Sequence, residues 1–283
     1  MLAQAVNDSL VIEVWQNIAA GVKLAANRLL WSDIGGLYID NETTTLSPQD
    51  GNAWAVRANL TDSTSKITSI SSNLQKRWTK FGAPAPEAAD AISPFISSFE
   101  LETHFLALEP TRALDLIRFM WADFMLDDPR MTNSTFIEGY STTGELHYAP
   151  YTNDPRISHA HGWATGPTSL LTFYVAGIQL LEAGGSKWLI APQFGDLRSV
   201  QSGFETSLGQ FTSSWELDKT RITLSFSAPT GTKGSIMLMV PECTSSVRVT
   251  DAEKQSVQST SRDGRVTVDN LQGGRYRFLF ECE

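Results

Sequence analysis

Apolar residues recur at helical spacing through the first two thirds of the chain. Between residues 8 and 30 they fall on one helical face, which predicts one long helix with Asp8 as its N-cap; its apolar positions are Val11, Val14, Trp15, Ile18, Val22, Ala25 and Leu29. A serine followed by proline at the first helical position predicts two more helix starts, at Ser47-Pro48 and Ser93-Pro94.

Further features complete the helical pattern. Thr61 to Ser63 caps a helix that runs to Trp78, Pro110 opens another, and Gly166-Pro167 opens the last, through TSLLTFYVAGIQLL. The segment PFISSFELETHFLAL is apolar nearly all round, which is typical of a helix enclosed on both sides. Glu100 and His104, at positions i and i+4 of this helix, are expected to form a buried polar pair. An enclosed helix paired with an amphipathic one predicts a ring of helical hairpins.

The pattern changes at Gly184-Gly185. Short β-rich runs follow, several of them alternating polar and apolar, and glycine-containing turns separate them; they are WLIAPQ, FTSSWEL, RITLSFSAP, GSIMLMVP, SVRVTDA, RVTVDNL and GRYRFLFE. Seven or eight such strands predict an antiparallel β-sandwich. The predicted fold is therefore α+β, with a helical domain at residues 1–182 and a sandwich domain at residues 183–283.

A long segment without periodicity lies between residues 127 and 167. It contains Glu138, three histidines and five aromatic side chains, but few aliphatic ones. Loops of this length in compact domains are usually functional or disordered, and disordered segments are poor in aromatic residues. The segment is therefore expected to form the rim of a binding pocket.

Composition and short motifs argue against some classes of function and bear on the location of the protein. The 283 residues carry a net charge of −9 without a basic cluster, which argues against nucleic-acid binding. No apolar run approaches the ~20 residues that span a membrane, and the first residues do not resemble a signal peptide. Four Asn-x-Ser/Thr sequons, at Asn7, Asn41, Asn59 and Asn133, would matter only in a secreted chain. The two cysteines, Cys243 and Cys282, are either paired or free and buried.

Several motifs, in one order along the chain, resemble glycoside hydrolase family 78, the α-L-rhamnosidases. In the helical part they are LLW with IGGLYIDN, PQDGNAWAV, SPFISSFELETHFLAL, DDPRMTNSTFIEGY and SHAHGWATGPTSLLTFYVAGI; in the β part they are WLIAPQFGDL, GTKGSIMLMVP and GGRYRFLF. The resemblance implies an (α/α)6 toroid of six helical hairpins followed by a C-terminal β-sandwich. The chain has about six of the twelve helices of such a ring, so it looks like the C-terminal half of a rhamnosidase.

The resemblance also implies a mechanism. These enzymes hydrolyse terminal α-L-rhamnosides with inversion, which takes a general acid and a general base roughly 6.5–9.5 Å apart. The base role falls on Glu138, in the segment TFIEGY. The family's acidic, arginine-containing segment, which supplies the acid, has no counterpart in residues 1–30, where only Asp8 and Glu13 are acidic. The chain therefore resembles an enzyme with its base but without its acid.

Other candidates each have a structural alternative. The resemblance places His161 near the sugar hydroxyls; the alternative is a loop histidine bonded to backbone. His159 and His161 also have a spacing that suits metal ligands, but no convincing third ligand follows, and we expect no metal and no cofactor. Trp163 is either core or a wall on which a sugar ring stacks, and Tyr140 is a further aromatic candidate.

Two polar residues at a helix start are the remaining candidates. Asp50 and Asn52 are either substrate-binding residues or capping residues of that helix. No glycine-rich phosphate loop and no GxSxG motif occurs in the chain.

Three functions follow from these features. The first is a glycosidase acting on rhamnose-containing glycosides or polysaccharides, complete only when the missing half is supplied. The second is a non-catalytic carbohydrate-binding remnant, and the third is an inactive truncated product. A half ring would expose apolar faces, so self-association is expected, whereas nucleic-acid and membrane partners are not. The resemblance and the sequons together suggest an extracellular protein.

Overall fold

A computed structural model describes residues 8–218, 221–240, 247–262 and 264–282. The chain divides into two compact units, residues 1–166 and 167–283. The division falls before residue 182 because residues 175–180 contact the β-strands: the carbonyls of Val175 and Ala176 accept hydrogen bonds from Trp215 and Ser213. A domain boundary after residue 182 remains a prediction.

The first unit is helical. Its α-helices are α1 (Ser9–Leu29), α2 (Gln49–Arg57), α3 (Thr64–Gln75), α4 (Pro94–Leu106) and α5 (Pro110–Leu116), and α5 continues as a π-helix, Ile117–Phe124. A two-stranded ribbon, β1 (Trp31–Ser32) with β2 (Leu37–Tyr38), follows α1. Two predicted caps are confirmed: the side chains of Asp8 and Ser63 accept from Val11 N and Lys66 N. The prediction of a serine cap followed by proline at the first helical position is wrong for α2, whose N-cap is Pro48 itself. It is right in position for α4, although the Ser93 side chain makes no capping hydrogen bond.

The core of this unit has an apolar and a polar part. Leu37, Tyr38, Ala55, Val56, Ile70 and Leu74 form a buried apolar cluster. In α4 the predicted polar pair is confirmed: Glu100 and His104 are both buried, with His104 Nε2 3.4 Å from Glu100 Oε1. Trp78 and Gln49 donate to the two Glu100 carboxylate oxygens. Burial lowers the pKa of His104.

The last predicted helix is shorter than expected. Helix α6 (Gly166–Leu170) continues as a π-helix, Leu171–Val175, but the predicted extension through AGIQLL is wrong. Gly177 has a φ of +81° and ends the helical run, and residues Ile178–Leu180 form strand β3, which pairs with β4 (Lys187–Ile190). The apolar run IQLL is short enough to form either a helix or a strand, and it forms a strand because it pairs with β4.

The second unit contains two five-stranded sheets. The added strands are β5 (Ser199–Thr206), β6 (Gly209–Asp218), β7 (Arg221–Ser227), β8 (Lys233–Met239), β9 (Val247–Thr250), β10 (Thr260–Arg262), β11 (Arg265–Gln272) and β12 (Arg275–Cys282). The sheet orders are β10-β11-β8-β4-β3 and β5-β6-β7-β12-β9. Trp188 of the first sheet packs against Phe226 of the second, with ring centroids 5.5 Å apart. The α+β class is thus confirmed, while the prediction of purely antiparallel pairing is wrong at β4 and β8, which are parallel.

Two predictions from the sequence stay predictions. Cys243 lies outside the described residues, as does the side chain of Cys282, so their pairing stays a prediction. The closed-ring arrangement of the helices also stays a prediction. No helix within the described ranges is long and apolar enough to cross a membrane.

Candidate functional site

The segment 127–165 contains only two short 3-10 helices, Asp154–Arg156 and Gly162–Ala164, and backbone pairing holds it against the helices. Ile92, just before α4, exchanges two backbone hydrogen bonds with Tyr140, at 2.8 and 3.1 Å. The carboxylate of Asp90 accepts from the hydroxyls of Ser141 and Thr142, which lowers the pKa of Asp90. The segment after Glu138 is thereby fixed to the start of α4.

A second pairing within the segment brings its two ends together. Glu138 N donates to Ser158 O at 2.8 Å, and His161 N donates to Phe136 O at 2.9 Å. Residues 136–138 and 158–161 therefore lie side by side, although some twenty positions separate them in sequence. This pairing places the backbone of His161 next to that of Phe136, two residues before Glu138.

The carboxylate of Glu138 is buried and holds defined partners. The residue is 4% exposed. Its Oε1 accepts from the hydroxyl of Tyr151, and its Oε2 accepts from Ser158 N at 3.1 Å and lies 3.6 Å from His161 Nδ1. The hydrogen bond to Glu138 raises the pKa of Tyr151. Since a carboxylate oxygen accepts more than one hydrogen bond, Oε2 retains acceptor capacity.

Two partly exposed rings border this carboxylate. The rings of His161 and Trp163 are 4.3 Å apart between centroids, and Trp163 Nε1 donates to the backbone carbonyl of Glu138 at 3.0 Å. Trp163 also stacks on Phe95, with centroids 5.3 Å apart. The His161 side chain is 29% exposed and Trp163 is 38% exposed. The structure thus brings together three of the residues singled out in the sequence: Glu138, His161 and Trp163.

Tyr140 lies behind this group. It is fully buried, its ring is 4.5 Å from that of Phe124, and its hydroxyl donates to Phe81 O at 2.7 Å. Burial raises the pKa of Tyr140 well above 10. The side chain therefore supports the loop from within the core and presents no surface to a ligand.

Asp50 and Asn52 lie in the first turn of α2 and make hydrogen bonds there. Asn52 is buried, its Oδ1 accepts from Tyr38 N, and its Nδ2 donates to the carbonyls of Tyr38 and Pro48. Asp50 Oδ1 accepts from Gly51 N. The carboxylate of Glu87 accepts from the backbone amides at positions 49 and 50 and so caps the helix. The cap is thus supplied by Glu87, and Asn52 instead joins the start of α2 to β2.

Sequence reasoning missed the two donors to Glu138. Tyr151 lies in the segment already recognised as rich in aromatic residues, but nothing in its neighbours marks it as a partner of a glutamate. Ser158 contributes its backbone amide, which no side-chain motif reveals. Within the described part of the chain, no group of three or more histidine, cysteine, aspartate or glutamate residues could hold a metal ion.

Comparisons with known proteins agree with this architecture. Residues 177–254 match the family described as bacterial alpha-L-rhamnosidase C-terminal domain. No curated protein sequence matches the chain.

Three solved structures have the same fold over nearly the whole chain. The alpha-L-rhamnosidase of Dictyoglumus thermophilum has a TM-score of 0.72 at 14% identity, and the match covers 99% of this chain and 30% of that one. The alpha-L-rhamnosidase of Streptomyces avermitilis, solved with L-rhamnose, has a TM-score of 0.65 at 13% identity, with coverages of 98% and 25%. The GH78 family rhamnosidase of Bacillus sp. GL1 has a TM-score of 0.65 at 21% identity, with coverages of 85% and 24%.

The resemblance to α-L-rhamnosidases in the sequence is thereby confirmed, and it concerns the C-terminal portion of these proteins. The chain spans only about a quarter to a third of the length of these solved structures.

Proposed function

We propose that this chain carries the general-base side of an inverting α-L-rhamnosidase site, with Glu138 as the base. The observation that carries the proposal is the setting of one carboxylate. Glu138 is buried, fixed at both oxygens by Tyr151 and the amide of Ser158, and bordered by two rings that reach solvent. A carboxylate held in this way is oriented for proton abstraction before substrate arrives.

The neighbouring groups suit a sugar hydrolase. In an inverting mechanism the base removes a proton from a water that attacks the anomeric carbon from the face opposite the leaving group. Oε2 of Glu138 is the oxygen next to His161, so it is the one we assign to that water. The exposed edges of His161 and Trp163 would contact the rhamnose, the imidazole through hydrogen bonds and the indole through apolar contact.

The general acid and the rest of the catalytic domain would come from outside this chain. We propose that the helical unit is part of an (α/α)6 toroid. One feature supports this: Val14, Trp15, Ile18 and Val22 on α1 are each more than half exposed. Such a patch is typical of a surface that packs against a partner. The partner is the other part of the ring or, in isolation, a second copy of the chain.

The experiment is hydrolysis of an aryl α-L-rhamnoside by the chain alone and by the chain with the polypeptide encoded upstream of the Met1 codon. We expect turnover in the second preparation, with the β-anomer of rhamnose as first product by NMR. Glu138→Gln should lower kcat by about 10²–10⁴-fold, the usual contribution of a general base.

Glu145→Gln is the matched control, because it makes the same change at an exposed position of the same loop. Turnover that survives Glu138→Gln, or that falls equally in Glu145→Gln, would refute the assignment. An upstream reading frame without an acidic, arginine-containing segment would contradict the proposed origin of the acid.

A non-catalytic carbohydrate-binding remnant is the second candidate. It is favoured by the same geometry, because the contacts that hold Glu138, His161 and Trp163 all lie within residues 90–163. Titration calorimetry with L-rhamnose distinguishes it: binding by the chain alone without turnover in any preparation would support a remnant. We further propose an extracellular location, and glycans at Asn41, Asn59 or Asn133 in the native protein would support it.

A further inference from the structure

The sheet β5-β6-β7-β12-β9 has an outer face that is almost entirely polar. Gln201, Ser214, Ser225 and Arg277 are successive Cα partners across β5, β6, β7 and β12, so they form one row across this face. With strands about 4.8 Å apart, the row is about 14 Å long.

Two adjoining depressions, with volumes of about 360 and 500 Å³, lie on this face. The four residues of the row line both of them, so the depressions join along the row. Both volumes fall within the usual range of small-molecule sites. Every residue that lines them belongs to the second unit.

The row is flanked by more hydroxyl groups and by a second arginine. Thr212 and Ser227 form the next row, where their hydroxyls lie 2.6 Å apart, and Arg275 continues that row at the same edge as Arg277. Both arginines are exposed, and among the described residues neither has a carboxylate within ion-pair distance. Two guanidinium groups, without an ion-pair partner in the part of the chain that the structure describes, therefore lie side by side at one end of a hydroxyl-lined surface.

We propose that this face binds an acidic saccharide, with the uronate carboxylate on Arg275 and Arg277. The planar guanidinium fork matches a carboxylate with two parallel hydrogen bonds. Serine, threonine and glutamine side chains offer both donors and acceptors, which is what a sugar ring with several hydroxyls requires. A polyphosphate backbone is bound mainly by lysine and arginine charge, whereas most side chains that line this face are neutral hydroxyls and amides. The site is separate from Glu138 and does not depend on its role.

The test is titration calorimetry of the whole chain with a galacturonic acid trisaccharide and with its carboxyl-reduced, neutral counterpart. We expect the acidic sugar to bind more tightly and its affinity to fall as salt rises. Arg277→Gln and Arg275→Gln should each weaken binding about 10-fold, because each removes a charge-assisted hydrogen bond. Ser225→Trp should abolish binding by filling the shared row.

Arg265→Gln is the matched control: it removes one exposed arginine from the other sheet and should change nothing. Glu138→Gln should also leave this binding intact, which separates the site from the proposed catalytic one. Thermal unfolding checks that each variant is folded, and the arginine variants decide the question if Ser225→Trp does not fold. Absence of binding at 10 mM sugar, equal affinity for the neutral sugar, an equal effect of Arg265→Gln, or equal binding of a single-stranded oligonucleotide would each overturn the proposal.

Discussion

Glu100 has a buried carboxylate in the helical unit, and removing it should lower the free energy of unfolding substantially. The side chain is 1% exposed. It accepts from Gln49 Nε2 at 2.6 Å and from Trp78 Nε1 at 2.5 Å. In Glu100→Ala both donors lose their acceptor, and each unsatisfied buried donor costs about 1–3 kcal/mol. The expected loss is therefore about 2–6 kcal/mol, a large part of a typical stability of about 5–15 kcal/mol.

Urea unfolding followed by tryptophan fluorescence measures this loss, because Trp78 belongs to the network itself. Glu102→Gln provides the comparison on the same helix. One of its partners is Arg57, at 3.2 Å, and that arginine is substantially exposed, so this pair should contribute at most about 1 kcal/mol.

A double-mutant cycle with Gln49→Met tests the reasoning directly. Once Gln49 no longer donates, Glu100→Ala should cost at least about 1 kcal/mol less than it does in the unaltered chain. Strict additivity of the two substitutions, or a Glu100→Ala loss no larger than that of Glu102→Gln, would refute the view that these buried donors depend on the carboxylate.

Three further outcomes are expected. Glu138→Gln should lower the pKa of Tyr151 toward its ordinary value, because the hydrogen bond to the carboxylate raises it; a tyrosine NMR titration that shows no change would contradict the contact. Because burial lowers the pKa of His104, below about pH 6.5 the unfolded state binds a proton that the folded state does not. The free energy of unfolding therefore decreases as the pH decreases, by at most about 1.4 kcal/mol per pH unit. His104→Gln should flatten this slope in urea unfolding between pH 5 and 7.5. Gly177→Ala should destabilise the second unit, because φ is +81° and a Cβ would overlap the backbone of Pro192, and an unchanged melting temperature would count against it.

The helical elements could be predicted because their signals are local. Asp8, Ser63 and the prolines at positions 94 and 110 mark helix starts by hydrogen bonding and fixed φ, and the structure begins its helices at or next to these positions. Strand β5 was not predicted, since SVQSGFET carries few apolar residues and a glycine. It exists because it pairs along its whole length with β6. The parallel pairing of β4 with β8 is likewise a matter of tertiary arrangement.

The sequence was sufficient to predict which residues form the candidate site but not which contacts hold them. Glu138, His161 and Trp163 were identified through their residue types and the resemblance to rhamnosidases. The partners of the Glu138 carboxylate depend on pairing between residues 136–138 and 158–161 inside a segment without periodicity. Such pairing follows from backbone hydrogen bonds, which every residue can make, so side-chain patterns do not encode it.

The loop that carries Glu138 is fixed by polar contacts within the first unit. Asp90 and Ile92 hold residues 140–142, Arg130 donates to the carbonyl of Gly144, and Glu138 pairs with Ser158. Gly139 allows Tyr148 to pack directly on the loop backbone, since a Cβ there would overlap the ring. None of these contacts involves a residue outside 90–158. If Glu138 is the base and the helices belong to a larger ring, as proposed, its geometry is set before the other part of that ring is added, and that part has to supply the acid without reordering the base. Preorganisation of this kind reduces the reorganisation required during the reaction.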